Sequence, residues 1–520
     1  MISFSFWCFR CCFLGVFSFS GSLKLPASQT EDFFRGRLDQ MIDLRHPLAV
    51  LSTHMPWQEI EASLAGVIAR KVKAGKKVED IDLFGPVVQV SGGGVSNAGR
   101  PRFPMRLMVS LLYLKHTYNL SDEELVVAWS ENVYYQFFSG REYYEPKAPC
   151  DFTLISKFRK LIGEEGVEEL LAKTITVAVE IGLIKPEELK KVVVDSTVMP
   201  KAIAHPTDSK LLESSRDKLV QVAKANGIAL RQIFEREGKH LTHKASRYGH
   251  AKQYRRMRKV IKRQGTIVGR LSREIARKAN LLSEAVQEAL MQPLGRANRI
   301  RLQIKQGRNA QNTNGPKIYS WHAPEVSCIA KGKARTPYEF GAKVGIAMTA
   351  RHNLIVGARS FANNPFDGHT LAEQLEQATI LMQDVAISPE TVYVDRGYRL
   401  RKEDRLPIQT LLPDMKQQMT EEERKLASRR QAIEPIIGHL KSDHRLDRCY
   451  LKGQTGDAIH AVLCAADYNI KWLMRRILQK GIKPFLFLFF AQALREVSER
   501  LKQIAARFQT NPINLQPNPA

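Results

Sequence analysis

Apolar residues recur at three- and four-residue spacing from Pro47 to Ile184, the repeat of helices that each hide one face. Ser121 followed by Glu124 predicts a capping box that opens a helix through Ala128 and Trp129. Asp151 or Thr153 is placed to cap the next helix, which carries Phe158, Arg159 and Lys160. The run Tyr134, Tyr135, Phe137, Phe138 reads as core rather than as a base-stacking surface.

The pattern changes at Lys191. Lys-Val-Val-Val-Asp195 reads as a buried strand ending in a carboxylate. Residues 208–333 return to helical spacing and are rich in Lys and Arg. They are densest from Tyr254 to Arg277, where Arg255, Arg256, Arg258, Lys259, Lys262 and Arg263 place basic residues on every face. Phe340–Thr349 and Asn353–Phe361 then read as two antiparallel strands with a turn at Ala350–His352. Asp367 is expected to cap a helix from Thr370 to Gln383, and Thr391-Val-Tyr-Val-Asp395 is a second apolar strand ending in aspartate. Helical spacing follows over Arg429–Leu440 and Asp457–Leu478.

This order predicts a mixed α+β or α/β chain. An all-α N-terminal domain, 28–187, precedes a mixed-sheet core of 188–207 and 334–480, which the basic helical insertion 208–333 interrupts. Residues 1–27 form an apolar extension outside the fold. Phe4–Leu23 is interrupted by Arg10 and lacks a basic start or a cleavage site, so an upstream start codon is preferred over a membrane anchor. Residues 481–520 are a helical and then disordered tail, rich in Pro, Asn and Gln from Gln509.

Charge narrows the partner. Lys and Arg number 79 against 53 Asp and Glu, a formal +26, which favours a polyanion because each phosphate neutralised releases counterions. Nucleic acid is preferred over anionic lipid. Gly99-Arg-Pro-Arg102 offers Arg100 and Arg102 either as an arm for a DNA groove or as a solvated loop. The seven cysteines form no framework and no zinc set at recognisable spacing, which points to a reducing compartment.

The chemistry rests on carboxylates. Asp195 and Asp395 each end a buried apolar run, and if their strands are neighbours the two anions meet at one sheet edge. A divalent ion with hard oxygen ligands relieves that repulsion and serves phosphoryl transfer. Taken singly, either aspartate could simply cap a turn. Farther on, Arg430, Glu434 and Lys441 are spaced by four and seven, so on one helix they share a face, either as a metal ligand between two phosphate-binding cations or as an exposed ion-pair ladder. Pro435 requires the helix to start or bend there.

On these residues the chain resembles bacterial insertion-sequence transposases of the DDE type, in the insertion-sequence-five-like group. Arg430, Glu434 and Lys441 match the arginine, glutamate and lysine of a signature in that group, whose tyrosine would fall at Ala427. Asp195-Ser-Thr, Asp395-Arg-Gly-Tyr398, His322-Ala-Pro-Glu-Val326, Asn364-Pro-Phe-Asp-Gly-His-Thr370 and Leu120-Ser-Asp-Glu-Glu124 also look like family segments, and the likeness runs from about Phe34 to Lys480. The resemblance implies an RNase H-like core in which Asp195, Asp395 and Glu434 bind two Mg²⁺ ions, with Mn²⁺ able to substitute, and carry the catalysis. It implies that Arg430 and Lys441 hold phosphates while the basic insertion grips flanking DNA. The expected partners are double-stranded DNA, as terminal inverted repeats and as target, and a second copy of the chain, with no membrane partner and a cytoplasmic, nucleoid-associated location. Two alternatives remain: a nuclease on the same fold without strand transfer, and a catalytically inert DNA-binding relic.

Overall fold

The structure is a computed structural model and describes residues 36–73, 103–307, 316–330, 337–399 and 407–480. Phe4–Leu23, Arg100, Arg102 and the C-terminal tail lie outside the described residues. Among those described, no helix is long and apolar enough to cross a membrane.

Seven helices come first: α1 (Leu38–Met41), α2 (Pro47–His54), α3 (Trp57–Lys73), α4 (Met105–Thr117), α5 (Asp122–Glu131), α6 (Val133–Phe138) and α7 (Phe152–Glu180). The capping box at Ser121 and Glu124 forms, which starts α5. Asp151 caps α7 by accepting the Thr153 N–H at 2.8 Å. α7 is broken at Gly163, whose φ of 68° and ψ of −161° are not helical. Tyr135 and Phe138 of the aromatic run are buried core side chains.

The sheet begins with β1 (Lys191–Pro200), after which the chain leaves it for α8 (Asp208–Ala225), α9 (Glu235–His250), α10 (Tyr254–Ala279) and α11 (Glu284–Gln306). It returns through β2 (Ser327–Ala330), β3 (Tyr338–Thr349) and β4 (Ile355–Phe361), then α12 (Asp367–Leu381), β5 (Thr391–Tyr393) and β6 (Gln409–Leu411). The helices α13 (Glu421–Arg429), α14 (Ile433–Asp443) and α15 (Gly453–Lys480) complete the described chain. Strand order is β2-β3-β1-β5-β6, with β4 also paired to β3. β3 runs antiparallel to β1, β2 and β4, whereas β1, β5 and β6 run parallel. A helical N-terminal region followed by this mixed sheet is the arrangement expected for an RNase H-like core.

Several local expectations change. β1 does not end at Asp195 but continues to Pro200, because Ser196–Pro200 go on pairing with Gly345–Gly341 of β3. β4 starts at Ile355 rather than Asn353, since Asn353 takes the left-handed turn with φ 60°. Phe366 takes the N-cap position of α12 with no side-chain cap, and Asp367 lies inside its first turn with its carboxylate drawn toward the sheet. The basic residues of α10 do not cover every face. Val260, Gln264, Ile267, Val268, Leu271 and Ile275 form one buried stripe, and the cations occupy the opposite side.

One hydrophobic core runs from Leu48 through the N-terminal helices and the sheet to Ile477. The insertion α8–α11 has its own, built on Leu212, Leu219, Ile267, Leu271, Ile275, Ala297, Ile300 and Trp321. α15 ties the larger core together, packing against α7, α4, α2 and β4. At its middle, buried Asn469 accepts the Ile355 N–H at 3.0 Å and donates to Ile355 O at 2.8 Å and to Thr174 Oγ1 at 2.9 Å. Replacing Asn469 by Leu strands two backbone groups of β4 without partners. The loss of stability is expected to be about 3 kcal/mol by urea unfolding. A loss below about 1 kcal/mol would show that this clasp is dispensable.

Candidate active site

Parallel pairing of β1 with β5 sets the site. Lys191 faces Thr391 and Val193 faces Tyr393, so the strands advance in step. Asp395, two residues beyond Tyr393, therefore comes level with Asp195, two residues beyond Val193. Asp195 Oδ1 accepts the Ser196 N–H at 2.8 Å. Asp395 caps the tight turn Arg396–Tyr398, its Oδ1 accepting the Gly397 N–H at 2.8 Å.

A third carboxylate joins them from α12. Asp367 Oδ1 accepts from Ser196 Oγ at 2.7 Å and pairs with Lys343 Nζ at 2.8 Å. Lys343 also donates to Pro365 O at 2.7 Å, which fixes the turn leading into α12. A methyl group on Gly397 would sit 3.0 Å from Asp395 Oδ1 and 3.5 Å from Asp367 Oδ2, so the bare glycine is what lets both acids border this turn. Tyr398 is buried against the same group, its phenol pKa pushed up by burial and by Asp195 and Asp367.

The electrostatics are those of an under-compensated anionic site. Burial, together with the charges of Asp395 and Asp367, pushes the Asp195 carboxyl up to about 6. The Ser196 N–H and the Arg430 guanidinium pull the other way without prevailing. Neighbouring carboxylates where desolvation already opposes ionisation supply the hard oxygens that suit a small divalent cation.

The sequence-derived residues are distributed as follows. Asp195 and Asp395 come together, with Arg430 near enough to draw the Asp195 pKa down. Arg430 lies in a tight 3-10 turn, Arg430–Ala432, between α13 and α14. Pro435 falls in the first turn of α14, where its missing N–H removes no helical bond. Glu434, also in that first turn, is exposed, and α14 packs against β1. Lys441 lies on the same helix and is half-buried. Among the described residues the three acids do not close to within 4.8 Å of one another. A cluster that does is His116, His460 and Cys464, buried on α4 and α15. Sequence spacing offered no metal set there because the partner helices are far apart along the chain. Arg255, Arg256, Arg258, Lys259 and Lys262 are exposed on α10, whereas Arg263 is held by Glu237 at 2.7 Å. Sequence reasoning missed Ser196, Lys343, Gly397 and Tyr398 as neighbours of the acids. The available signal was Lys343 itself, a lone cation inside the apolar run Phe340–Thr349.

Two family models match the chain: a transposase domain (DUF772) over residues 76–161 and a transposase DDE domain over residues 396–474. A Rhizobium meliloti protein, "Uncharacterized protein ORF8 in nfe locus", is 41% identical over 229 residues, 98% of its length and 44% of this chain. The chain belongs to the DDE-type transposases. No solved structure matches it. In this transposase the DDE match takes in Arg430, Glu434 and Lys441 and begins immediately after Asp395.

The raised Asp195 pKa has a consequence for stability in metal-free buffer. The unfolded carboxyl titrates near the ordinary aspartate value of 3.8 and the folded one near 6. Between these values the native state holds the extra proton, so stability falls as pH rises through that window and stays lower above it. Asp195→Asn, which can still accept the Ser196 N–H, removes the penalty. With EDTA at pH 7.5 it is expected to stabilise the transposase by about 2 kcal/mol, an advantage that disappears near pH 4. Thermal unfolding across pH checks this, and a pH-independent difference would place the repulsion elsewhere.

Proposed function

We propose that the transposase catalyses metal-dependent cleavage of DNA at the ends of its element and joins the freed ends to target DNA. The observation that carries the reading is the placement of Asp195 in β1 and of Asp395 just beyond the neighbouring β5, with Asp367 beside them and α14, the helix that carries Glu434, packed against β1. Asp195, Asp395 and Glu434 would hold Mg²⁺ or Mn²⁺, with two ions as the working number. Such ions, when bound, supply Lewis-acid polarisation and charge neutralisation at a phosphodiester.

The chain's own groups supply the rest. Ser196 N–H and Gly397 N–H orient the two aspartates so that one oxygen of each is committed to the backbone. Lys343 neutralises Asp367 and leaves the pair less repulsive. Arg430 lies on the turn that precedes Glu434, where a guanidinium can hold a phosphate of the DNA end, and Lys441 is placed two turns farther along the helix. The exposed cations of α10 present a one-sided basic surface to flanking DNA, and they position it without reading sequence. Arg100 and Arg102 keep their proposed role as a groove-seeking arm. Two DNA ends must be paired, which favours a homodimer.

Asp195→Asn, Asp395→Asn and Glu434→Gln are each expected to abolish cleavage of labelled DNA bearing the element's ends, while duplex binding is retained. Mg²⁺ or Mn²⁺ should raise the unfolding temperature of wild type and do so less in each variant. Cleavage without joining would leave a nuclease, and binding without either activity an inert relic. Retained cleavage in a purified variant would remove that residue from the site.

A further inference from the structure

Away from the acids, a cavity of about 490 Å³ opens where the N-terminal helices meet the chain that follows α14. Lys115 of α4, Asp122 of α5, Arg159 of α7 and Arg445 beyond α14 line it, with His116 and His460 at its wall. Asp122 is fully engaged, accepting from Lys115 Nζ at 2.5 Å, Arg159 Nη2 at 2.9 Å and Ser156 Oγ at 3.3 Å. Exposed Glu123 is the other acid at the lining. Three cations therefore face two carboxylates. Arg159 is only 4% exposed, and its Nε has no acceptor. Lys115 is pushed down to about 8, first by burial and then by the neighbouring Arg159, against the pull of Asp122.

His116 and His460 are neutral here, their pKa values lowered by burial and by the same cations. With Cys464 they approach a metal-binding geometry, but Lys115, Arg159 and Arg445 oppose a divalent cation and favour an anion. Asp467, behind His116 at 2.8 Å, is held toward its neutral form by burial.

Arg445 shows that this arrangement is maintained against the backbone's preference. Its φ is +64°, at the end of α14 where Leu446 N–H returns to Leu440 O at 3.0 Å. Glycine is the usual residue in that position, and a side chain there costs about 1 kcal/mol. The guanidinium is steered by Asn119 O at 3.1 Å. At the rim, Tyr450 is 60% exposed with the Arg448 guanidinium 5.4 Å from its ring centre, a stacking face open to a nucleotide base. From Glu434 to the end of α14 at Asp443 the helix rises roughly 14 Å, about four base-pair rises along a duplex, before the chain turns to Arg445.

We infer that this cavity binds a phosphate group, carried by the DNA strand that passes the acids. The carrier's identity rests on the transposase reading; the phosphate chemistry does not. Arg445→Gly and Arg445→Asn remove the guanidinium at a position both residues tolerate. Both variants should unfold at or above the wild-type temperature. Binding of a labelled duplex across a salt series should weaken several-fold, with the log–log salt slope reduced by about 0.9. Inorganic phosphate should raise the wild-type unfolding temperature and leave that of the variants unchanged. Loss of the phosphate response with unaltered DNA binding would support the site but make free phosphate its ligand. Folded variants indistinguishable from wild type in both arms would overturn the inference. A wild type that binds no DNA would sink the transposase reading, while the phosphate arm would still judge the cavity.

Discussion

Holding two carboxylates side by side where water is scarce is the constraint on which this part of the sheet depends. Parallel pairing of β1 with β5 through Val193 and Tyr393 leads both strands toward it, and Asp195 and Asp395 follow two residues later. The surrounding groups limit the resulting repulsion without removing it. Backbone N–H groups orient one oxygen of each aspartate, Lys343 occupies Asp367, and the Asp195 pKa stays raised. The fold therefore keeps an uncancelled repulsion at this point of the sheet, a cost that stability alone does not explain.

The same sheet is built into a core larger than itself. Leu48 in α2 and Ile477 in α15 belong to one continuous apolar cluster, so the N-terminal helices and the mixed sheet cannot shift independently without opening it. Asn469 is the polar stitch in that cluster, satisfying β4 backbone that the helix would otherwise leave unpaired. The insertion differs. It holds its own apolar cluster and presents cations on the face left over.

Much of this was legible from residue order. The helical N-terminal region, the apolar runs leading into Asp195 and Asp395, and the hairpin of β3 and β4 follow from periodicity, because burial on one face imposes a repeat of 3.6 or of two, whereas the continuation of β1 to Pro200 depends on its pairing with β3. The capping boxes follow from local hydrogen-bonding groups that need no tertiary partner. Where periodicity was judged by density alone it misled. The many arginines of α10 hid a buried stripe whose apolar residues are sparse but regularly spaced.

What the linear chain determined by itself, then, is the set of elements, the basic balance and the residue types that make phosphoryl transfer plausible, since these depend on near neighbours and composition. Tertiary structure alone decided which charges meet. Asp367 reads as a helix cap until Ser196 and Lys343, distant in sequence, claim its carboxylate. Lys115, Arg159 and Arg445 become one site only when α4, α7 and the end of α14 converge. Electrostatic energy depends on separation in space and on local access of water, and neither is encoded in spacing along the chain.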